Sequence, residues 1–316
     1  MSDPGLSSYR MNRWDGTRWN AVGANGGMLP TGGSAPSYLF CYAPPALAFD
    51  SANRPVVAYM GTGGSAVRQV LVQRFDVNNW TPLGPNNGRV TPDPSFVGGF
   101  AMTLDAADKP VVIWTSVSGN ANSQPAYALR YVDTPAPGWV GIGSASGLLP
   151  LPAGGPYEYL KAPVIVLDAA GNPVVASAAF VNLAQSSAGA ILLHHYDGSQ
   201  WLVSDLHRAN AGGSAAPSPD ALTLPGLVFD ALGQPQLAWF ENTEALGGMP
   251  RYYVQAWTGT VWQGLGSADG VIDNPSERLS TSLRFAKTAA GRQEIAFVAT
   301  ARAGAPASIG VSVYVP

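Results

Sequence analysis

The chain has 316 residues, 46% of them apolar and only 12% charged, with a formal charge of −3 and a pI near 5.5. That is ample material for a core. A nucleic-acid partner is excluded, since such binders carry a basic face and only Lys109, Lys161 and Lys287 occur, in no basic run. No apolar run approaches the ~20 residues of a membrane span, and Gly (37) and Pro (27) recur at turn positions, which reads as tight turns rather than disorder.

The first residues carry no basic segment followed by an apolar one, so no signal peptide is read there. An extracellular or cell-surface location is still expected, by another export route or after removal of a signal. Next, Tyr9-Arg-Met-Asn-Arg-Trp-Asp-Gly-Thr-Arg-Trp-Asn-Ala-Val-Gly23 sets an Asp-Gly turn between two short runs, a strong hairpin signal. After a crossing over 24–43 comes a different pair, Leu47-Ala-Phe-Asp-Ser-Ala-Asn-Arg-Pro-Val-Val-Ala-Tyr59. It is an apolar run, a polar turn, a Pro and a β-branched run. The lone Cys41 just before it sits in an apolar-aromatic stretch and reads as a small buried hydrophobe.

Both elements return along the chain. The Asp-turn-Pro pair recurs at 102–114, 165–177 and 227–239, and in degraded form at 283–297, where Ala286 replaces the aspartate. The hairpin recurs at 70–84, 127–143, 191–201 and 252–266. One repeat therefore holds four strands, A to D. The anchoring Trp19, Trp80, Trp139, Trp201 and Trp262 are spaced by 61, 59, 62 and 61 residues. Five four-stranded antiparallel units predict an all-β, five-bladed β-propeller, because radial closure protects sheet edges. The prediction is a single domain over 1–316, with repeats at 24–84, 85–143, 144–206, 207–266, and 267–316 plus 1–23. The N- and C-terminal strands would close the ring, although 309–315 and 9–14 then compete for one C position.

The pattern apolar-x-apolar-Asp-x-x-Gly-x-Pro-Val-Val-Ala-Trp, followed by Arg-Trp-Asp-Gly-x-x-Trp-x-x-Leu-Gly, resembles the bacterial propeller repeats of large secreted or surface proteins. More distantly it is similar to kelch-like and PLL-type lectin propellers. The resemblance covers residues 9–316 and rests on turn and packing residues, so it implies a fold and not an activity. The Trp201 copy ends Leu-Val-Ser-Asp in place of x-x-Leu-Gly, and the fifth copy lacks the A-strand Asp and the Pro, departures that bear on local turn geometry and not on the fold.

In such a blade the tight A–B and C–D turns lie on one face, and the dissimilar B–C and D–A connections on the other. Function is expected on that loop face. The repeating Asp50, Asp105, Asp168 and Asp230 read as turn caps and not as catalytic acids, since they recur. His194 and His195 are adjacent on a strand and point to opposite faces, so they cannot chelate one metal. No catalytic residue, metal site or cofactor is assigned.

What remains is a ligand platform of aromatic planes and amides, which suits sugar rings. Trp114 and Trp239 at the ends of B strands, Tyr157 and Tyr159 in a crossing, and Asn120, Glu241 and Asn242 in B–C loops are its candidate residues. The expected function is a non-enzymatic, lectin-like module that binds a carbohydrate or a protein surface. A self-assembling structural subunit using the surplus terminal strand is the second reading. A five-bladed-propeller glycoside hydrolase is the third, with Glu241 and Glu158 as its loop carboxylates.

Overall fold

The computed structural model of the chain describes residues 9–30, 44–61, 69–91, 96–117, 125–134, 136–153, 157, 159–180, 189–206, 222–241, 251–268, 270–272, 277–287, 293–301 and 308–314. Contacts divide the chain into two compact units, Met1–Leu149 and Pro150–Pro316.

The first unit opens on a hairpin, β1 (Asn12–Trp14) and β2 (Trp19–Ala21). A four-stranded sheet follows, β3 (Ala46–Phe49), β4 (Pro55–Gly61), β5 (Gln69–Asp76) and β6 (Asn79–Pro82). Its successor is β7 (Phe96–Leu104), β8 (Pro110–Val117), β9 (Ala126–Val132) and β10 (Gly138–Gly141). The second unit begins with β11 (Tyr159–Leu167), β12 (Pro173–Phe180), β13 (Gly189–Tyr196) and β14 (Trp201–Leu206). Next come β15 (Leu222–Phe229), β16 (Pro235–Glu241), β17 (Arg251–Trp257) and β18 (Trp262–Gly264), with β19 (Val271–Ile272) also on β17. The last sheet is β20 (Glu277–Lys287), β21 (Gln293–Ala301) and β22 (Ser308–Tyr314).

All pairings are antiparallel, and apart from β19 each strand pairs with its sequence neighbour in the sheet. The sheets that begin at β3, β7, β11, β15 and β20 fit five blades, numbered 1 to 5 below. The expected closure of the ring by the terminal strands is not among the described pairings: β1 pairs with β2 and β22 with β21. β22 takes the C position of the last sheet.

The A–B turns form as the residues require. Asp105 Oδ1 accepts from the N–H of Ala107 and Lys109, Asp168 Oδ1 from Ala170 and Asn172, and Asp230 Oδ1 from Leu232 and Gln234, all at 2.8–2.9 Å. The third residue after the aspartate has positive φ: Asn53 (58°), Asp108 (62°), Gly171 (79°) and Gly233 (77°). Asn, Asp and Gly tolerate that conformation best. The proline then enters strand B at its first residue, where its missing N–H costs least.

Packing occurs between blades. In the first unit Val56, Ala58, Met60, Val70 and Val72 of blade 1 meet Val97, Val112, Trp114 and Leu129 of blade 2 in one buried cluster. In the second unit Val174, Ala176, Ala178, Ile191 and Leu193 of blade 3 meet Leu227, Leu237 and Trp239 of blade 4. Strand B is the most buried strand: every residue of β4 and of β12 is buried.

A repeated feature follows strand D that the repeat pattern above does not contain. After Val22, Leu83, Ile142 and Leu265 the chain turns through a glycine and returns to the edge of strand C. The N–H of each of these four donates to a C-strand carbonyl, that of Met11, Val72, Ala128 and Val254 respectively. The carbonyls of Gly27, Gly147 and Gly270 then accept from the N–H of Met11, Ala128 and Val254. Strand D thus covers one half of strand C, and the returning segment covers the other. The returns at Ala24–Gly27 and Pro85–Gly88 are single left-handed turns, at Asn25, Gly26, Asn86 and Asn87 (φ 50–65°).

Candidate functional site

The two ends of the blades differ in what their carboxylates do. On the turn face, Asp15 accepts from the N–H of Arg18 and Thr17 and from the Thr17 hydroxyl, which holds its carboxyl well below the usual range. Asp197 is lowered to about 2 by the N–H of Gln200 and the hydroxyl and N–H of Ser199. Asp108 is lowered mainly by the Ser51 hydroxyl and N–H, which tie the A–B turns of blades 1 and 2 together. Burial opposes ionisation of Asp168, but His195 Nε2 at 2.8 Å and two backbone N–H groups outweigh it. Asp50 and Asp76 share Arg54, and Lys109 pairs with Asp133. Each of these carboxylates is already engaged as an acceptor in a turn or an ion pair. The reading of the A-strand aspartates as turn caps therefore matches their hydrogen bonds.

Two loop-face carboxylates with described backbone sit at strand ends. Glu241 is the last residue of β16, opposite both Leu222 and Arg251. Glu277 is the first residue of β20, and β20 packs beside β15, the strand that begins with Leu222. Two acidic residues are thus brought to the loop-face ends of adjacent blades. Glu277 was not among the sequence candidates, because the fifth repeat is degraded and its A strand was read only from Leu283. Glu158 lies outside the described residues.

A second loop-face feature also escaped the sequence reading. Four A strands shift register in their loop-face half, between Val97 and Gly99, Lys161 and Val164, Thr223 and Gly226, and Leu279 and Leu283. Such bulges re-aim side chains at barrel rims and next to active sites. Pro163, Pro225 and the pair Gly98-Gly99 are the sequence signal, since Pro and Gly in a strand interior mark bulges. Near one of them the Lys161 ammonium lies 5.5 Å from the Phe180 ring centroid, a cation–π contact.

The residues expected to form the ligand platform are placed as follows. Trp114 is 1% exposed, packed between blades 1 and 2 and stacked on Tyr127 at 5.2 Å and 18°. Trp239 is 9% exposed and stacked on Tyr253 at 5.1 Å and 12°. Both indoles face protein, because the sheets sandwich the B strands. Tyr157 is buried, and Tyr159 opens β11 opposite Phe180. Asn120 and Asn242 lie outside the described residues, as does Cys41. Trp14 is half exposed and lines a cleft of about 630 Å³ with Trp19, Leu47, Phe49 and Phe75.

No family model matches the chain, and no curated protein matches it. Solved structures do. The chain is similar to the α-L-arabinanase of Penicillium chrysogenum complexed with arabinobiose, at TM-score 0.53 and 11% identity, over 94% of this chain and 84% of that one. It is similar to the polysaccharide lyase Uly1 at TM-score 0.53 and 9% identity, over 90% and 72%. At such identities the likeness shows the fold, an all-β propeller, and no kelch or lectin affiliation in particular. These neighbours correct the expectation of a non-enzymatic, lectin-like binding module: the two solved chains of this fold named here are an arabinanase and a polysaccharide lyase.

Proposed function

We propose that this chain is a propeller glycoside hydrolase that cleaves a polysaccharide outside the cell. The observation that carries the reading is the likeness, over nearly the whole chain, to an arabinanase with its disaccharide bound. The division of carboxylates supports it: turn-face aspartates are consumed by the scaffold, whereas Glu241 and Glu277 come to the loop-face ends of neighbouring blades.

Glycoside hydrolysis needs two carboxyl groups, about 5–5.5 Å apart when a covalent intermediate forms and about 6.5–9.5 Å apart when water attacks directly. In this reading one of the two glutamates protonates the leaving glycosidic oxygen. The other takes the proton of the water that adds to the anomeric carbon, or itself forms the glycosyl bond that water then breaks. The A-strand bulges shape the ground between them, and no cofactor is required.

The hairpin β1–β2 carries the aromatic pair of a C–D hairpin. Trp14 and Trp19 make the same tilted aromatic pair as Phe75–Trp80, Tyr196–Trp201 and Trp257–Trp262, at 5.2–5.7 Å. They are 49% and 68% exposed, whereas those counterparts are half-buried.

The test is release of reducing ends from linear arabinan and from a panel of other neutral and acidic polysaccharides. Turnover is expected, with Glu241→Gln and Glu277→Gln each lowering it at least about 100-fold. Products with unsaturated, ultraviolet-absorbing ends would make the chain a lyase instead. No turnover across the panel overturns the enzyme reading, and turnover unchanged in both variants overturns the assignment of the pair.

A further inference from the structure

Blade 3 departs from the other blades in the middle of its sheet. Nine residues after the turn aspartate, blades 1, 2 and 4 carry Tyr59, Trp114 and Trp239, and all three rings are buried. Blade 3 carries Ser177, opposite Leu192. A ring has been replaced by a hydroxymethyl group, yet Ser177 remains fully buried, and its Oγ has no hydrogen-bond partner among the described residues.

The strand register brings a second unsatisfied group to the same place. Val175 is opposite His194 and Ser177 is opposite Leu192, so Ser177 and His194 are diagonal neighbours on one face of the sheet. His194 is also fully buried. Its Nε2 lies 2.8 Å from the carbonyl oxygen of Pro150, which can only accept, so Nε2 carries the proton. Nδ1 is then a bare acceptor, and it has no partner among the described residues. Burial accords with a neutral ring, since it depresses the His194 pKa to about 4.

A hydroxyl and an acceptor nitrogen, both buried and without partners among the described residues, thus share a face at the position where blades 1, 2 and 4 carry a large ring. Buried polar groups are almost always satisfied, and where protein does not do so an internal water does, given room and at least two partners. We propose that a water molecule is held beside Ser177, donating to His194 Nδ1 and accepting from the Ser177 hydroxyl. The site is then a relay from Ser177 through water and imidazole to the Pro150 carbonyl. Pro150 begins the segment that leads past Tyr157 into β11, so the water is a positioning element for a loop-face connection. The proposal is independent of the enzyme reading.

The experiment uses the full chain. A high-resolution crystal structure and ¹⁵N-histidine NMR are read for the wild type, for Ser177→Ala and for Ser177→Val. Expected are an ordered water within hydrogen-bond reach of both atoms in the wild type, and a His194 Nδ1 resonance at a hydrogen-bonded acceptor position. In Ser177→Val, which removes the hydroxyl and fills space, that resonance moves downfield while the Nε2 proton stays. A protein donor on Nδ1, or an empty gap between the two groups in the wild type, overturns the proposal. So does an Nδ1 shift unchanged by both substitutions. Should Ser177→Val not fold, the wild-type density and the Ser177→Ala shift still decide.

Discussion

Blades 2 and 3 begin alike and finish differently. In blade 2, strand D stops at Gly141; Ile142 still bonds to the Ala128 carbonyl, and the chain loops back so that the Gly147 carbonyl and Leu149 N–H complete the edge of strand C. In blade 3, strand D runs six residues, Trp201–Leu206, and pairs with strand C as far as Ile191. The sequence difference is small: Gly-Ile-Gly in one copy, Val-Ser-Asp in the other. What decides is space. A Cβ on Gly141 would stand 2.1 Å from the Ser144 carbonyl oxygen, and one on Gly147 would stand 2.2 Å from that of Ala128. The return admits no side chain where it meets the strand C carbonyl, at Gly27, Gly88, Gly147 and Gly270, whereas the Trp201 copy keeps the plain strand as far as Leu206. Two ways of covering one sheet edge are thus selected by whether a methyl group fits.

The sharpest way to break this comparison is Gly147→Ala. It forces an alanine to φ 73° and drives its methyl into a backbone carbonyl, costing about 3–4 kcal/mol in chemical denaturation. Acid should act on blade 3 in its turn. The folded value for His194 is about 4, below the 6.5 of a free imidazole, so the unfolded chain takes up the proton first. The contribution of the neutral ring is complete above pH 6.5 and is lost as pH falls toward 4, by at most about 3 kcal/mol. Replacing His194 by Gln should flatten that part of a stability-against-pH curve.

Smaller effects sharpen the picture. Trp139 Nε1 donates to the Leu83 carbonyl at 3.1 Å, just where blade 1 makes its return. Trp139→Phe should therefore cost about 1–2 kcal/mol in thermal or chemical unfolding. The control is Gly171→Ala in the A–B turn of blade 3. Gly171 also has positive φ (79°), but a Cβ there meets nothing within 4 Å. Only the left-handed backbone strain remains, about 1 kcal/mol. If Gly147→Ala cost no more than Gly171→Ala, contact with the strand C carbonyl would not be what reserves that position for glycine.

Much of the scaffold was legible because it is local. An aspartate, a left-handed residue and a proline within six positions make the A–B turn from their own hydrogen bonds and dihedrals, so repetition of that string implied repetition of the hairpin. The departure at Val203-Ser-Asp205 was visible for the same reason. The sequence by itself determined the repeated strand pairs and their up-and-down order, and five sheets fit the five repeats it carries. Only the tertiary structure decided that Trp114 and Trp239 fill inter-blade cores, that the glycines after strand D close a sheet edge, and that Glu241 and Glu277 end at neighbouring strand tips. Each of those depends on which surfaces sheets remote in sequence press together, and an indole at a strand end has the same local pattern whether solvent or another sheet covers it.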